Sequence, residues 1–311
     1  MFKTITDKEQ FIKNPILEMD ISNDYDIIHL FGKEYRMYKD LWKHHVHLKC
    51  TNVCDSDCAF CIEKDSRYDN NNREKFIKNC KALLNELNDQ GMLYTVSVTG
   101  GEPTIAPHIN EIINLVGKYN LMLFSMNTNG RHLDKLERDS FNGWINISKH
   151  SIHDNLIFDR DFEVTPEYLK LIKNNQKNAK IRFQCVLGIV GGLKSLGDIK
   201  RFMSCYNDVV DDFSFRSLIV DKKEDEIPIL FKEFRDWLFP YCIEQTIQDY
   251  YVYEIYNVDG YKPITVSWSN MYLLKKYNET SNDNFLEEII VHPDGMITGS
   301  WNKKSLIIKG D

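Results

Sequence analysis

The chain has 311 residues, 42% hydrophobic and 27% charged, a length and balance that bury a substantial core and exclude an overall disordered or fibrous protein. Lys+Arg 39 against Asp+Glu 46 leaves a net charge of −7, so no field attracts a phosphate backbone and duplex nucleic acid is excluded as an expected partner. No stretch approaches the roughly 18 apolar residues of a membrane-spanning helix, and the N-terminus is charged where a signal peptide is apolar, so a cytoplasmic protein without a membrane partner is expected.

Residues Asp26–Tyr38 alternate around a Gly-Lys turn and predict a hairpin ahead of the main domain. From His44 onward extended runs at His44–Lys49, Tyr94–Thr99, Leu121–Asn127, Trp144–Ser148, Ile181–Gly188 and Asp212–Leu218 are separated by amphipathic stretches. Those stretches are Glu74–Gln90, His108–Tyr119, Pro166–Asn175, Leu196–Cys205 and Ile229–Gln245, with an Asn/Asp-rich loop at Asp69–Glu74 leading into the first. Repeated strand-then-helix units predict an α/β fold with a parallel sheet, a partial (β/α)6 barrel. After Gln245 the pattern changes to strands without long helices, at Tyr250–Tyr256, Lys262–Trp268, Glu287–His292 and Met296–Trp301, the last two joined by a Pro-Asp-Gly turn. The expected organisation is a 1–43 extension with the hairpin, a 44–246 barrel core and a 247–311 β-rich cap.

The barrel strands alternate where strands covered on both faces read as continuous apolar runs. One face carries Val46, Leu48, Val96, Val98, Met122, Phe124, Met126, Ile145, Ile147, Phe183, Cys185, Phe213 and Phe215. The other carries His45, His47, Lys49, Thr95, Ser97, Asn127, Asn129, Asn146, Ser148, Arg182, Gln184 and Arg216. With helices on the apolar face, the polar face lines the barrel, and burying that many polar groups is tolerable only around water and a polar ligand. An antiparallel sheet with one solvated face gives the same alternation, but the intervening helices favour the barrel.

Eight cysteines are present, and Cys54, Cys58 and Cys61 are grouped as CxxxCxxC in the loop after the first barrel strand. In a reducing compartment disulfides are not their use, and three thiolates on a short loop suit an iron–sulfur cubane whose fourth iron has no protein ligand. Structural zinc is the alternative; it usually takes four ligands from paired arms, and no second pair follows. Cys50 is either a fourth ligand or, on the Val46/Leu48 parity, a packing residue.

These residues resemble the radical S-adenosylmethionine (SAM) superfamily, whose signature is CxxxCxxC with an aromatic residue, here Phe60, before the last cysteine. Thr99-Gly100-Gly101-Glu102-Pro103 at the end of the second strand is similar to its GGEP motif, and Asn127-Thr128-Asn129-Gly130 at the end of the third to its TNG turn. Ser148 ends the fourth strand where relatives contact SAM, and Gly188-Ile189-Val190-Gly191-Gly192 follows the fifth like their adenine-binding segment. The resemblance covers Cys54 to about Leu218 and implies that Cys54, Cys58 and Cys61 hold a [4Fe–4S] cluster. It also implies that SAM chelates the open iron, and that one electron, from a donor such as flavodoxin or ferredoxin, yields a 5′-deoxyadenosyl radical that abstracts hydrogen from substrate. Phe60, Gly100, Gly101, Glu102, Asn129, Ser148, Gln184 and Arg216 are the expected cofactor contacts. Glu102 is expected to offer negative charge to the SAM ammonium, and Arg216 to meet either the SAM carboxylate or an anionic substrate.

Within the superfamily the chain resembles the molybdopterin-cofactor-synthase-like and SPASM-type branch, but Ser300-Trp301 stands where auxiliary-cluster relatives carry a cysteine, and no cysteine follows Cys242. Cys205 and Cys242 are expected to pack in helices. The cap aromatics Tyr250, Tyr251, Tyr253, Tyr256, Trp268 and Trp301 are either core or a stacking surface. His45, His47, Lys49, His150 and His153 are candidate substrate contacts or proton carriers, or structural residues, and His45-x-His47 taken as a metal pair is a weak signal. The expected function is a single-cluster radical SAM enzyme modifying a polar small molecule or short peptide in biosynthesis. A glycyl-radical-enzyme activase and a non-catalytic iron–sulfur or zinc protein are the alternatives.

Overall fold

The structure, a computed structural model, describes residues 2–13, 25–38, 44–58, 60–61, 71–92, 94–153, 162–217, 228–248, 251–269, 284–301 and 306–309. Asp69, Leu218 and Tyr250, named above, lie outside these residues.

A short strand β1 (Phe2–Ile5) is followed by a hairpin of β2 (Tyr25–Leu30) and β3 (Lys33–Tyr38). Its turn is centred on Phe31 and Gly32, both at positive φ (51° and 77°), one residue before the expected Gly-Lys pair; two left-handed residues give the twist that an antiparallel hairpin needs. The barrel follows in chain order: β4 (His44–Lys49), α1 (Arg73–Asp89), β5 (Tyr94–Thr99), α2 (Ile109–Val116), β6 (Leu123–Thr128), β7 (Trp144–Ser148), α3 (Pro166–Asn175), β8 (Lys180–Leu187), α4 (Leu196–Tyr206), β9 (Asp212–Ser217) and α5 (Ile229–Leu238). Helix starts are set by side-chain caps: Asn72 accepts from Lys75 N, Thr165 from Tyr168 N with Pro166 at the first helical position, and Ser195 from Asp198 N. Between β6 and β7 there is only a 3-10 turn at Leu133–Lys135, so that unit lacks an α-helix.

The stretch expected as one helix over Ile229–Gln245 divides. The helix ends at Leu238, a 3-10 turn spans Phe239–Tyr241, and Cys242–Gln248 is strand β10. Pro240 supplies the reason: it has no N–H for the helical ladder and its ring obstructs the preceding turn. Cys242 therefore begins a strand rather than sitting in a helix, while Cys205 lies exposed on α4.

The remaining strands are β11 (Tyr251–Tyr256), β12 (Ile264–Ser269), β13 (Phe285–Leu286), β14 (Ile289–Val291), β15 (Ile297–Thr298) and β16 (Ile307–Lys309). The main sheet runs β1-β10-β11-β12-β9-β8-β7-β6-β5-β4-β14-β15-β16, and β13, β3 and β2 form a second sheet. Strands β4 to β9 lie side by side in chain order and pair in parallel. The C-terminal β-rich region joins this sheet at both edges: β12 pairs in parallel with β9, and β14 in parallel with β4. The fold is thus a partial α/β barrel, open between β1 and β16.

The apolar side of the strands meets the helices. Val46, Leu48, Ile145, Ile147, Phe183, Phe213 and Phe215 are fully buried there. Phe183 stands 4.9 Å from Tyr206 and 5.7 Å from Phe202 of α4, ring centre to ring centre. Met122, expected on the same face, precedes β6 and is exposed, because the strand begins one residue later. No helix among the described residues is long and apolar enough to cross a membrane.

Candidate active site

Parallel strands deliver all their C-terminal ends to one rim, and the loops that leave β4, β5, β6, β7 and β8 meet there. The cysteine loop leaves β4. Cys54, Cys58 and Cys61 are each partly exposed, whereas Cys50, Cys80, Cys185 and Cys242 are buried, and none of the eight is in a disulfide. Cys61 N donates to Cys58 O (3.1 Å), a backbone bond that links the last two cysteines of the loop. Cys50 faces the core and donates its thiol to Thr99 O (3.4 Å); burial pushes that thiol's pKa up, so it stays protonated.

The Gly100-Gly101-Glu102 segment clasps the root of the cysteine loop. Gly101 N donates to Thr51 O (2.7 Å) and Glu102 N to Val53 O (2.8 Å). The approach is so close that a Cβ on Gly100, which sits at φ +138°, would lie 2.3 Å from Thr51 O, and one on Gly101 2.1 Å from Val53 O. Only glycine allows two strand-end loops to lie this near one another.

Glu102 is buried, and its carboxylate turns toward the TNG turn. It accepts from Thr104 N (3.0 Å), Thr104 Oγ1 (2.5 Å), Thr128 Oγ1 (2.6 Å) and Asn129 N (2.6 Å). Burial raises this carboxyl above the ordinary range, opposed by the hydrogen bonds from Asn129, Thr104 and Thr128. Both oxygens are engaged within the protein, so Glu102 ties the end of β5 to the end of β6.

Asn129 is likewise occupied. Its Nδ2 donates to Asp55 Oδ1 (2.7 Å) and Ser56 Oγ (3.1 Å), and its Oδ1 accepts from Arg131 N (2.9 Å). Asp55 also meets His132 Nε2 (3.1 Å) and Arg131 (3.4 Å). Asp55, Ser56, Arg131 and His132 are not among the residues singled out by the sequence motifs. Their signal is an acid directly after the first cysteine and a basic pair directly after the TNG turn, which is readable only once the two loops are known to meet. Phe60 packs edge-on against His150, ring centres 5.0 Å apart, and His150 Nδ1 accepts from Val186 N (3.0 Å) on β8. Leu193 N returns to His150 O (3.2 Å), which brings the glycine-rich loop after β8 to the same rim. His153 is exposed and paired with Glu163 (2.9 Å).

Below this rim the polar faces of the strands line the lumen. Ser148 stands opposite Gln184 in register, both half-buried, and Arg216 is exposed on β9 opposite Ser267. Asn146 Nδ2 donates to Asn127 Oδ1 (3.1 Å) and Asn127 Nδ2 to Ser97 Oγ (3.0 Å). Arg182 Nε donates to Asp212 Oδ1 (2.7 Å) and lies 4.2 Å over the Trp144 ring. Such pairing balances the Arg182 charge in the lumen, whereas His47 Nδ1, Thr95 Oγ1 and Asn146 Oδ1 are buried without a hydrogen-bond partner among the described residues. On β4, burial and the adjacent His47 bring the His45 imidazole down to about 3. Burial alone would raise the Glu288 carboxyl, but His47, His45 and the Trp301 N–H outweigh it and bring it down to about 2. Among the cap aromatics, Tyr253, Tyr256 and Trp268 are core.

The donor set fits an iron–sulfur cluster with SAM. Three partly exposed thiols share one loop, and that loop is clasped beside two glycines whose carbonyls can approach a ligand without a Cβ between them.

The comparisons with known proteins agree with this geometry. The model of the Radical SAM superfamily matches residues 48–204, about half of the chain. The GTP 3′,8-cyclase of Marinobacter nauticus is 30% identical over 89 residues, 29% of this chain and 27% of the relative. The probable GTP 3′,8-cyclase of Sulfolobus acidocaldarius is 30% identical over 116 residues, 36% of each chain. The matches thus span about a third or less of these curated relatives. Among solved structures, Streptococcus suis SuiB bound to S-adenosylmethionine superposes with a TM-score of 0.57 at 14% identity, covering 86% of this chain and 63% of that one. Native anSMEcpe with bound AdoMet gives 0.53 at 14% identity, covering 84% and 76%. At such identities these structures speak for the fold alone, and the fold, the family match and the arrangement of the rim agree. The chain belongs to the radical SAM superfamily and is an enzyme of that type, with a [4Fe–4S] cluster and SAM as its cofactors.

Proposed function

We propose that Cys54, Cys58 and Cys61 ligate a single [4Fe–4S] cluster, that SAM lies at the rim between the GGE segment and β7–β8, and that the substrate is a polar small molecule or short peptide held in the lumen. The observation that carries this reading is the clasp at the rim: three partly exposed thiols on a loop pinned by Gly101, Glu102 and Asn129 over a polar barrel interior. When bound, the cluster supplies an electron, from a flavodoxin- or ferredoxin-like donor, that cleaves SAM to methionine and a hydrogen-abstracting 5′-deoxyadenosyl radical.

The chain's own residues position and enclose. The Gly100 and Gly101 carbonyls are acceptors for the SAM ammonium. Glu102 and Asn129 act one step back, holding the TNG turn and the cysteine loop in place. Phe60, packed on His150, covers the loop from the barrel side. Ser148 and Gln184 offer polar contacts to SAM from the lumen face, and Arg216 supplies a planar cation for a carboxylate of SAM or substrate. In this reading 44–246 carries the cofactors, and 247–311 completes the sheet around the substrate. The relatives include GTP cyclases and SuiB, one structure of which is bound to the precursor peptide SuiA, and the substrate class proposed here covers both kinds.

Anaerobic reconstitution tests the reading. Roughly four irons per chain and reductant-dependent conversion of SAM to 5′-deoxyadenosine are expected, and Cys58→Ala should abolish both. About eight irons would refute the single cluster; cleavage retained in Cys58→Ala would refute the ligand assignment.

A further inference from the structure

His45 and His47 lie two apart on β4, so the period of the strand directs both imidazoles to the lumen. Their rings are 4.1 Å apart. Strand β14 pairs in parallel with β4, Ile289 opposite Val46, and this register carries the preceding residue, Glu288, to the same face beside His45. One donor atom from each of His45, His47 and Glu288 can be chosen so that all lie within 4.8 Å of one another.

We propose that His45, His47 and Glu288 form a mononuclear site for a divalent first-row transition metal ion of the zinc class, inside the barrel. The donor set is two imidazole nitrogens and one carboxylate, which is a catalytic rather than structural complement because it leaves a coordination position open. That position faces the lumen, where a polar substrate group can fill it.

An ion pair alone explains the cluster poorly. His47 Nε2 is 3.1 Å from Glu288 Oε2, but the buried His47 has no hydrogen-bond partner for Nδ1 among the described residues. A simple pair also gives no role to His45, whose ring is tilted by 37° against that of His47. The carboxylate is held in place by a further contact, Trp301 Nε1 donating to Glu288 Oε2 (2.5 Å), with the Trp301 ring 4.8 Å from that of His47. Outer partners of this kind orient metal-binding carboxylates.

None of the three ligands is on the cysteine loop, and the assignment does not depend on the one made for that loop. The test is metal content by mass spectrometry on the full-length, iron-loaded chain, incubated anaerobically with excess ZnCl2 and desalted. About one zinc beyond the cluster iron is expected. Glu288→Gln, which keeps the side chain's shape, and His47→Ala should each lower retained zinc roughly tenfold or more at unchanged iron. The Cys54→Ala/Cys58→Ala/Cys61→Ala chain should lose iron and keep zinc. Zinc well below one equivalent in the iron-loaded wild type, zinc retained in a folded His45→Ala/His47→Ala chain, or zinc lost with the cysteines would each overturn the site. Failure of the wild type to bind iron would count against the cluster reading alone.

Discussion

On a single strand, β8, Phe183 and Leu187 are sealed against the helices, while Arg182 and Gln184, on either side of Phe183, are half-buried in the lumen. The same contrast repeats from β4 to β9. Residues on the outer face are held by packing, where shape and transfer from water decide stability. Residues on the inner face are held by pairing, as in Arg182 with Asp212 or the Ser97–Asn127–Asn146 chain, and their arrangement leaves polar groups facing the cavity. The difference teaches that the two faces should fail differently: outer substitutions unfold the chain, whereas inner ones leave it folded and alter what it binds.

The largest effect is expected at Phe183, which touches Phe202, Tyr206 and Phe213. Phe183→Ala removes a fully buried ring from a cluster that cannot collapse around the gap, and should cost about 3–5 kcal/mol in denaturant unfolding. SAM affinity of the remaining folded fraction should be unchanged. A loss below about 1 kcal/mol would show that the outer face tolerates cavities and that the contrast is overdrawn.

Glu102 tests the boundary between the faces. Replacing it by Ala strands the Thr104 and Thr128 hydroxyls and the Thr104 and Asn129 N–H groups, so a stability loss of about 2–3 kcal/mol is expected. Weakened SAM binding should accompany it, since the TNG turn loses its anchor. Unchanged unfolding with weakened SAM binding would instead return Glu102 to the role of a charge offered directly to the cofactor.

That pair of outcomes reflects what the sequence could and could not convey. Period-two alternation is a local property, and Val46/Leu48 against His45/His47 already divides the faces. The order of the cysteine, GGEP and TNG motifs likewise follows from consecutive strands. Pro240, a local signal, was outweighed by the helical pattern around it in the Ile229–Gln245 stretch. The rest depends on separation along the chain. Glu102 meets Asn129 across 27 residues, and Asp55 meets Asn129 across 74, through loops whose meeting no periodicity announces. Glu288 reaches His47 only because a short strand near the C-terminus pairs with the first strand of the barrel, a long-range choice invisible in the pattern EEIIVH. The two edge extensions of the sheet were hidden for the same reason: a strand signal gives existence, not partner.

The smallest stability effect and the sharpest division between the faces are expected at Arg216. It is exposed on the inner face of β9, whereas its neighbour Phe215 is fully buried on the outer face against Phe234, ring centres 4.7 Å apart. Truncating an exposed side chain removes little packing, so Arg216→Ala should shift unfolding by no more than about 0.5 kcal/mol. Its planar cation is nonetheless the inner-face group best suited to a carboxylate, and its removal should weaken binding of SAM or of an anionic substrate roughly tenfold in calorimetric titration, with Arg216→Lys recovering only part of the loss because a point charge replaces a fork. Comparing the two ligands decides which carboxylate it holds: a change confined to SAM places Arg216 at the rim, and SAM binding unchanged beside weaker substrate binding places it deeper in the lumen. A stability loss comparable to that of Phe183→Ala, with both affinities intact, would make Arg216 part of the scaffold and dissolve the distinction between the faces at β9.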